Sequence, residues 1–299
     1  MSLRFGYGTN GFANHRLADA LEVIAALGYQ GVALTLDHQH LDPFASDLPR
    51  QVARLADRLR DLNLAVVVET GARYLLDPWR KHEPTLLHDD PGPRLRLLRR
   101  AVAIGADLGA EAVSFWSGAR PETVDEATAW RRLVDGCADV VAAADAAGIP
   151  LGFEPEPGML VQTIADWQKL HRALGEPDRF GITLDIGHCR CLEPAPVPEC
   201  IAAVAPHLVN VQIDDMRRGV HEHLPFGAGE IDFPPVLRAL IDSGYRGLVA
   251  VELPRHSHAA PAVAAESIAF LRRAEQAAEL SLRQRHRTDV STTGQEGEE

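Results

Sequence analysis

The segment GITLDIGH, residues 181–188, joins a short apolar run to an acidic residue and a histidine. Its apolar and β-branched residues, bounded by glycines, are typical of a buried β-strand. Seven further segments have the same character, and longer segments with the apolar spacing of helices separate them. The eight predicted strands lie near residues 4–9, 31–36, 65–69, 112–116, 151–155, 181–185, 209–214 and 248–253.

The segments between these strands predict amphipathic helices. In HRLADALEVIAALG, residues 15–28, apolar residues recur every three or four positions from Leu17 to Leu27, and Gly28 ends the pattern. Strands that alternate with helices indicate the α/β class, and eight such units in 299 residues predict one (β/α)8 TIM barrel. No proline- or serine-rich linker divides the chain, so residues 1–280 are predicted to form a single domain. Residues 281–299 are polar and are predicted to form a disordered tail.

Composition restricts the compartment and the partners. A formal net charge of −12 argues against nucleic acid as the main partner, because nucleic-acid binders present a basic face to the phosphates. The four cysteines form no C-x-x-C pair, so we expect reduced thiols. The chain begins without a basic and apolar leader, and no run approaches the roughly 18 apolar residues of a membrane span. We therefore expect a cytoplasmic protein that does not cross a membrane.

Acidic and amide residues end the last four predicted strands. In a parallel barrel the carboxyl ends of the strands meet at one mouth, where a half-desolvated charge is costly unless it binds something. Together with His188, these oxygen ligands match what a divalent cation requires, although ion pairing around the barrel rim is an alternative interpretation. The residues are Glu154, Glu156, Asp185, Gln212, Asp214, Asp215 and Glu252.

An H-x-H pattern and a long insertion lie on the same predicted face. His221 and His223 follow the seventh strand, and alternate residues of an extended segment face the same way, so both imidazoles could bind one ion. Residues 70–92 follow the third strand and predict a lid or substrate loop.

Several side chains are predicted to contact a substrate. Phe12, Trp79 and Trp116 are candidates for an apolar wall, and ordinary packing is an equal alternative for each ring. His38 follows the second strand, where a plain polar loop is the alternative interpretation. The predicted substrate contacts are Glu156, Trp116, His38 and Arg73.

At LGFEPEPG, LDIGH, NVQIDD, GAGEIDF and VAVEL the chain resembles the xylose isomerase-like superfamily of TIM barrels, across residues 4–278. This superfamily includes xylose isomerases, tagatose and psicose 3-epimerases, hydroxypyruvate isomerases, inosose dehydratases and endonuclease IV-type abasic-site endonucleases. The resemblance implies a first metal with ligands at Glu154, Asp185, Gln212 and Glu252. In members with a second metal, Asp185 can bridge and the extra ligands match His188, His221 and His223.

Two departures from the family pattern bear on metal and reaction. Gln212 stands where the family usually has His or Asp, and a neutral amide oxygen is a weaker ligand. A second site with three imidazoles favours zinc, manganese or another transition ion over magnesium. The resemblance thus implies one or two divalent metal ions, with zinc, manganese, cobalt and magnesium as the candidates. The abasic-site endonucleases of this superfamily use histidines at the ends of the third and fourth strands. This chain has Glu69-Thr70 and Trp116-Ser117 there, so abasic-site cleavage is disfavoured.

The resemblance implies a metal-dependent isomerase or epimerase of a small sugar, sugar phosphate or related polyol carbonyl compound. Metal-polarised enediolate chemistry would use Glu154 and Glu252 for proton transfer, and His188 would position a substrate oxygen where it is not itself a metal ligand. The alternatives are a metal-dependent dehydratase or hydrolase and a catalytically silent metabolite-binding barrel. A carbohydrate-like small molecule is the expected partner, and a homo-oligomer stays open.

Overall fold

The structure is a computed structural model that describes the backbone of residues 2–293 and the side chains of residues 2–280. Eight parallel strands close a barrel in the order β1-β10-β7-β6-β5-β4-β3-β2. These strands are β1 (Arg4–Gly8), β2 (Gly31–Thr35), β3 (Ala65–Glu69), β4 (Val113–Trp116), β5 (Leu151–Glu154), β6 (Phe180–Asp185), β7 (Leu208–Ile213) and β10 (Leu248–Val251). The predicted single-domain (β/α)8 TIM barrel is confirmed.

Helices follow the barrel strands and surround them. They are α1 (Leu17–Ala26), α2 (Leu48–Asp61), α3 (Gly92–Leu108), α4 (Glu126–Ala147), α5 (Ile164–Ala173), α6 (Ile186–Leu192), α7 (Val197–Val204), α8 (Phe233–Asp242) and α9 (Ala260–Thr293). Within the described residues, no helix is both long and apolar enough to span a membrane. The disordered tail predicted for residues 281–299 falls outside the described side chains and stays a prediction.

The two faces of the barrel strands carry different side chains. Phe115, Phe153 and Phe180 are buried on the outer face, where ring centroids of neighbours lie 5.1 and 5.5 Å apart and the Phe180 ring stacks on His171 of α5. Burying such a side chain contributes about 1.5–3 kcal/mol. Successive strand residues point to opposite sides of the sheet, and the inner face of these strands carries small polar side chains. There Ser114 and Thr183 share a hydrogen bond of 2.9 Å between their hydroxyls.

Two irregular segments lie at the carboxyl ends of the strands. After β7, the antiparallel strands β8 (Asp215–Arg217) and β9 (Val220–Leu224) form a hairpin. The Asp215 carboxylate accepts backbone N–H bonds from Gly227, Gly229 and Ile231, and therefore holds the turn that follows the hairpin. A Cβ at position 229 would lie 2.2 Å from an Asp215 oxygen, so the turn requires glycine. Asp215 thus has a structural role at the strand end.

The insertion after β3 has no helix or strand between residues 70 and 91. One buried cation, Arg94 in the first turn of α3, holds it in place. The Arg94 guanidinium donates to the carbonyls of Thr70, His82 and Pro84 at 2.5–3.1 Å and lies 5.0 Å from the centre of the Trp116 ring. The insertion is consequently fixed against the mouth of the barrel.

Candidate active site

A cavity of about 390 Å³ opens at the carboxyl ends of the barrel strands. It is the kind of concave site in which barrel proteins place their ligands. Nine of the predicted site residues line it, namely Arg73, Trp116, Glu154, Glu156, His188, Gln212, His221, His223 and Glu252. Sequence analysis did not select other lining residues, which include Asn10, Glu69, Lys81, His82 and Arg255.

Three imidazoles converge at one side of the cavity. One ligand atom from each of His188, His221 and His223 lies within 4.8 Å of the other two. His188 Nδ1 is 3.2 Å from the Pro155 carbonyl, and His223 Nδ1 contacts the Asp214 carboxylate. Since these Nδ1 atoms are the donors, the Nε2 atoms are left as ligands. Indeed His188 Nε2 lies only 3.1 Å from His221 Nε2.

Asp185 links the imidazoles to the carboxylates. It belongs to two further groups whose ligand atoms lie within 4.8 Å of one another, Glu154–Asp185–His188 and Asp185–His223–Glu252. Its Oδ1 accepts the N–H of His188 at 2.8 Å and thereby caps α6. Its Oδ2 is buried and accepts no hydrogen bond from the described residues. One oxygen therefore stabilises the helix, and the other is available to a ligand.

Two amide side chains hold carboxylates at the cavity floor. Asn10 Nδ2 donates to Glu252 Oε1 at 3.0 Å, and Gln212 Nε2 donates to Glu69 Oε1 at 2.9 Å. The Gln212 oxygen is buried without a hydrogen-bond partner among the described residues. Asp185 and Gln212 are register partners on β6 and β7, so their side chains lie next to each other on the same side of the sheet.

Burial shifts the proton equilibria of the carboxyl groups upward. Desolvation and repulsion from Glu252 raise the pKa of Glu69 to about 8 and that of Glu156 to about 7. The pKa of Glu154 rises well above its usual value for the same two reasons. Desolvation also raises the pKa of Glu252, and Asp185 adds to the effect. So many buried acids favour a positive charge among them.

The imidazoles respond to burial in two ways. Desolvation lowers the pKa of His188 to about 4, which keeps its ring neutral and able to act as a ligand. Desolvation also acts to lower the pKa of His223, but the hydrogen bond to Asp214 and the surrounding carboxylates outweigh it, and the pKa rises to about 10. The Asp214–His223 pair therefore holds a proton that a bound cation would compete with.

The residues present fit a divalent cation. Carboxylate oxygens and imidazole nitrogens are the donors that transition ions take, and the buried oxygens of Asp185 and Gln212 lack partners. Asp185 is shared by two of the three groups, so the geometry accommodates one ion or two neighbouring ions.

The predicted substrate contacts divide. Trp116 lines the cavity, and its ring meets the His82 ring edge-on at 5.3 Å. The structure does not bring His38 to the cavity: Asp37 Oδ1 accepts the N–H groups of Gln39 and His40, and this turn leaves the His38 side chain exposed. The other two aromatic candidates, Phe12 and Trp79, also lie outside the cavity, the first fully buried in the core and the second 90% exposed.

The fold and site define a (β/α)8 barrel protein with a polar cavity, bordered by groups of candidate metal ligands, at the carboxyl ends of its strands. More particularly, the chain belongs to the xylose isomerase-like TIM barrel family, whose model matches residues 21–274. The family that the sequence motifs indicated is thus confirmed.

The relatives of this chain are sugar epimerases. The chain is 27% identical over 249 residues to L-ribulose-5-phosphate 3-epimerase UlaE of Escherichia coli, across 79% of this chain and 81% of the relative. The UlaE of Shigella sonnei is 28% identical over 236 residues, which are 74% of this chain and 80% of the relative.

Solved structures of sugar epimerases share the fold. An L-ribulose 3-epimerase matches with a TM-score of 0.74 at 22% identity, across 94% of this chain and 98% of that chain. D-allulose 3-epimerase from Methylomonas sp. in complex with D-allulose matches with a TM-score of 0.70 at 19% identity, across 91% and 96% of the two chains.

Proposed function

We propose that this chain is a metal-dependent epimerase that inverts C3 of a ketose or ketose phosphate through enediolate chemistry. The observation that carries the proposal is the ligand cluster around Asp185, with Glu154 and Glu252 as its other carboxylates. The 3-epimerase relatives support the choice of reaction. The proposed cofactor is one or two divalent ions, with zinc, manganese, cobalt and magnesium as candidates.

Inversion at a carbon beside a carbonyl needs a proton acceptor on one face and a proton donor on the other. Glu154 ends β5, and Glu252 follows β10, three strands further around the barrel, so their carboxyls enter the cavity from different sides. Glu154 or Glu252 removes the proton from C3, and the other carboxyl, in its protonated form, returns one to the opposite face. Their raised pKa values suit groups that must both release and take protons.

The remaining polar residues hold and orient the substrate. A divalent ion held by Glu154, Asp185, Gln212 and Glu252 would act as a Lewis acid that makes the C–H beside the carbonyl more acidic. His188 positions a substrate oxygen with its Nε2. Glu156 binds a hydroxyl group, and the Trp116 ring packs against the carbon chain.

Basic residues at the cavity mouth favour a phosphorylated ketose among the candidate substrates. Arg73, Lys81 and Arg255 line the cavity of a chain whose net charge is −12. Arg255 lies 3.4 Å from Glu222, whereas Arg73 and Lys81 make no ion pair within 4.0 Å in the part of the chain that the structure describes. Unpaired cations beside the reaction site are suited to bind a phosphate group.

The test is an epimerisation assay with L-ribulose 5-phosphate, L-ribulose and D-allulose in the presence of each candidate metal. In deuterium oxide, the product and recovered substrate should carry deuterium at C3, because the proton exchanges with solvent on the carboxyl groups. Epimer formation without deuterium would contradict proton transfer by Glu154 and Glu252. The absence of any epimer with all three compounds would contradict the substrate class.

A dehydratase or hydrolase is the second candidate, and the group of His188, His221 and His223 favours it. Three imidazoles with an open position can hold an ion that activates water. The same incubations separate the two functions, because loss of water by dehydration or uptake of water by hydrolysis changes the product mass and epimerisation does not. A catalytically silent barrel would bind a sugar with no metal requirement and release it unchanged.

The cytoplasmic location and the oligomeric state stay predictions.

A further inference from the structure

The hydrogen bond between Glu69 and Gln212 joins opposite sides of the barrel. Glu69 ends β3 and Gln212 lies in β7, and three strands stand between them in either direction around the closed barrel. Gln212 Nε2 nevertheless donates to Glu69 Oε1 at 2.9 Å across the cavity floor. The exposed fractions are 7% for Glu69 and 3% for Gln212, so the contact is shielded from water.

We propose that Glu69 is a positioning residue that orients the Gln212 amide so that its oxygen serves as a metal ligand. The inference rests on the metal site of the proposed function. A glutamine amide carries an acceptor at one end and two N–H donors at the other. With its nitrogen bound to Glu69, the amide presents its oxygen elsewhere, and this oxygen is buried without a partner among the described residues.

The position of Gln212 explains why its amide needs a partner that fixes its orientation. Gln212 is the register partner of Asp185, the residue shared by two ligand groups. A carboxylate at this position would offer an oxygen in either flipped state, but an amide turned by 180° would point N–H donors at a cation. Glu69 removes that alternative by binding the nitrogen.

Glu69 acts through Gln212 rather than as a ligand itself. Among the described His, Cys, Asp and Glu residues, the three groups with ligand atoms within 4.8 Å of one another do not include Glu69. Its carboxyl is engaged by the Gln212 amide. Partners that fix the orientation of a ligand side chain typically contribute about 10–100-fold to metal affinity.

The test measures metal affinity, by competition between the protein and a chelator for manganese or zinc, in the full-length chain. Glu69→Ala should weaken binding about 10–100-fold. Glu69→Gln retains an oxygen that accepts the Gln212 N–H, so its affinity should stay within about threefold of wild type. Glu156→Ala is the matched control, because it removes another carboxyl of the same cavity, and no hydrogen bond joins Glu156 to Gln212 in the part of the chain that the structure describes.

A double-variant cycle with Gln212→Glu gives the decisive comparison. A carboxylate presents an oxygen in either orientation, so Glu69→Ala should not weaken metal binding in the Gln212→Glu background. An equal loss in both backgrounds, or an equal loss in Glu156→Ala, would overturn the orienting role and indicate general electrostatics. Unchanged affinity in Glu69→Ala would overturn it as well.

The experiment distinguishes failure of the proposed metal dependence from failure of the positioning role of Glu69. Glu69→Leu, which keeps the side-chain volume, replaces Glu69→Ala if thermal melting shows that the alanine variant does not fold. A wild-type chain without measurable affinity for any divalent ion would contradict the proposed metal dependence itself. A wild-type chain that binds metal and is insensitive to Glu69 contradicts only the positioning role.

Discussion

The outer and inner faces of strands β5 and β6 carry side chains of opposite chemistry. Phe153 and Phe180 pack against each other on the outer face, and the Phe180 ring stacks on His171 of α5. Glu154, which follows Phe153, lines the cavity, and Asp185 on the inner face of β6 belongs to two of the ligand groups. The outer face buries apolar surface, which stabilises the fold. The inner face buries carboxyls whose pKa values rise, as for Glu154, because desolvation disfavours their charge.

One strand can therefore contribute both to the stability of the fold and to the candidate site. Side chains alternate across a strand, so adjacent residues experience different environments and can be changed separately. The outer face should therefore control the free energy of unfolding, and the inner face should control metal binding and reaction rate. Four predictions test that division, in order of decreasing effect.

The largest effect is expected on the inner face, in the proton-transfer step. Glu154→Gln or Glu252→Gln should lower the epimerisation rate by about 10²–10⁴, because an amide cannot accept the C3 proton. The free energy of unfolding should not decrease, since each change removes a buried acid. Steady-state kinetics and thermal melting of the same samples provide the check, and a rate within threefold of wild type would exclude the carboxyl as a base.

The next effect is expected on the outer face. Phe153→Ala should lower the free energy of unfolding by about 3–5 kcal/mol, because it removes a fully buried ring and leaves a cavity. Ser114→Ala, on the inner face, is the control and should cost only about 0.5–1.5 kcal/mol through its lost hydrogen bond. Denaturant titration measures both, and equal losses would contradict the division between faces.

Metal binding should depend on Asp185 more than on any other ligand. At a free metal concentration of about 100 times Kd, the ion should stabilise the wild-type fold by about 2.7 kcal/mol. Asp185→Ala should abolish this stabilisation, because Asp185 belongs to two of the three ligand groups. Melting temperatures with and without metal, alongside elemental analysis, test the prediction. Full metal occupancy in Asp185→Ala would show that the ligand set is wrong.

The smallest effect concerns the mouth of the cavity. Arg73→Gln should raise KM for a ketose phosphate about tenfold, because a charge-assisted hydrogen bond contributes about 1.5 kcal/mol, and should leave KM for the free ketose unchanged. Arg80→Gln is the matched control, since Arg80 lies on the same insertion, pairs with Glu83 at 3.5 Å and does not line the cavity. A parallel rise for both substrates would contradict phosphate recognition.

Short-range sequence patterns predicted the eight-strand barrel and the end of the barrel at which the polar residues gather. Each predicted strand falls within two residues of the observed one, from 65–69 against Ala65–Glu69 to 248–253 against Leu248–Val251. Local patterning is sufficient here, because alternation and strand ends are properties of short segments. Asp185 and His188 could be selected as candidate ligands for the same reason, since Asp185 ends β6 and His188 follows it within one motif.

Which polar residues contact one another depends on the closure of the barrel and on the paths of its loops. Glu69 and Gln212 are 143 positions apart and touch only because the barrel closes. Asp214 could be recognised as a strand-end residue, but its contact with His223 depends on the β8–β9 hairpin turning back. His38 carried the same kind of signal as His221, yet its turn leaves it exposed outside the cavity. Local sequence specifies where a strand ends, whereas the path of the following loop depends on contacts with residues far away in the chain.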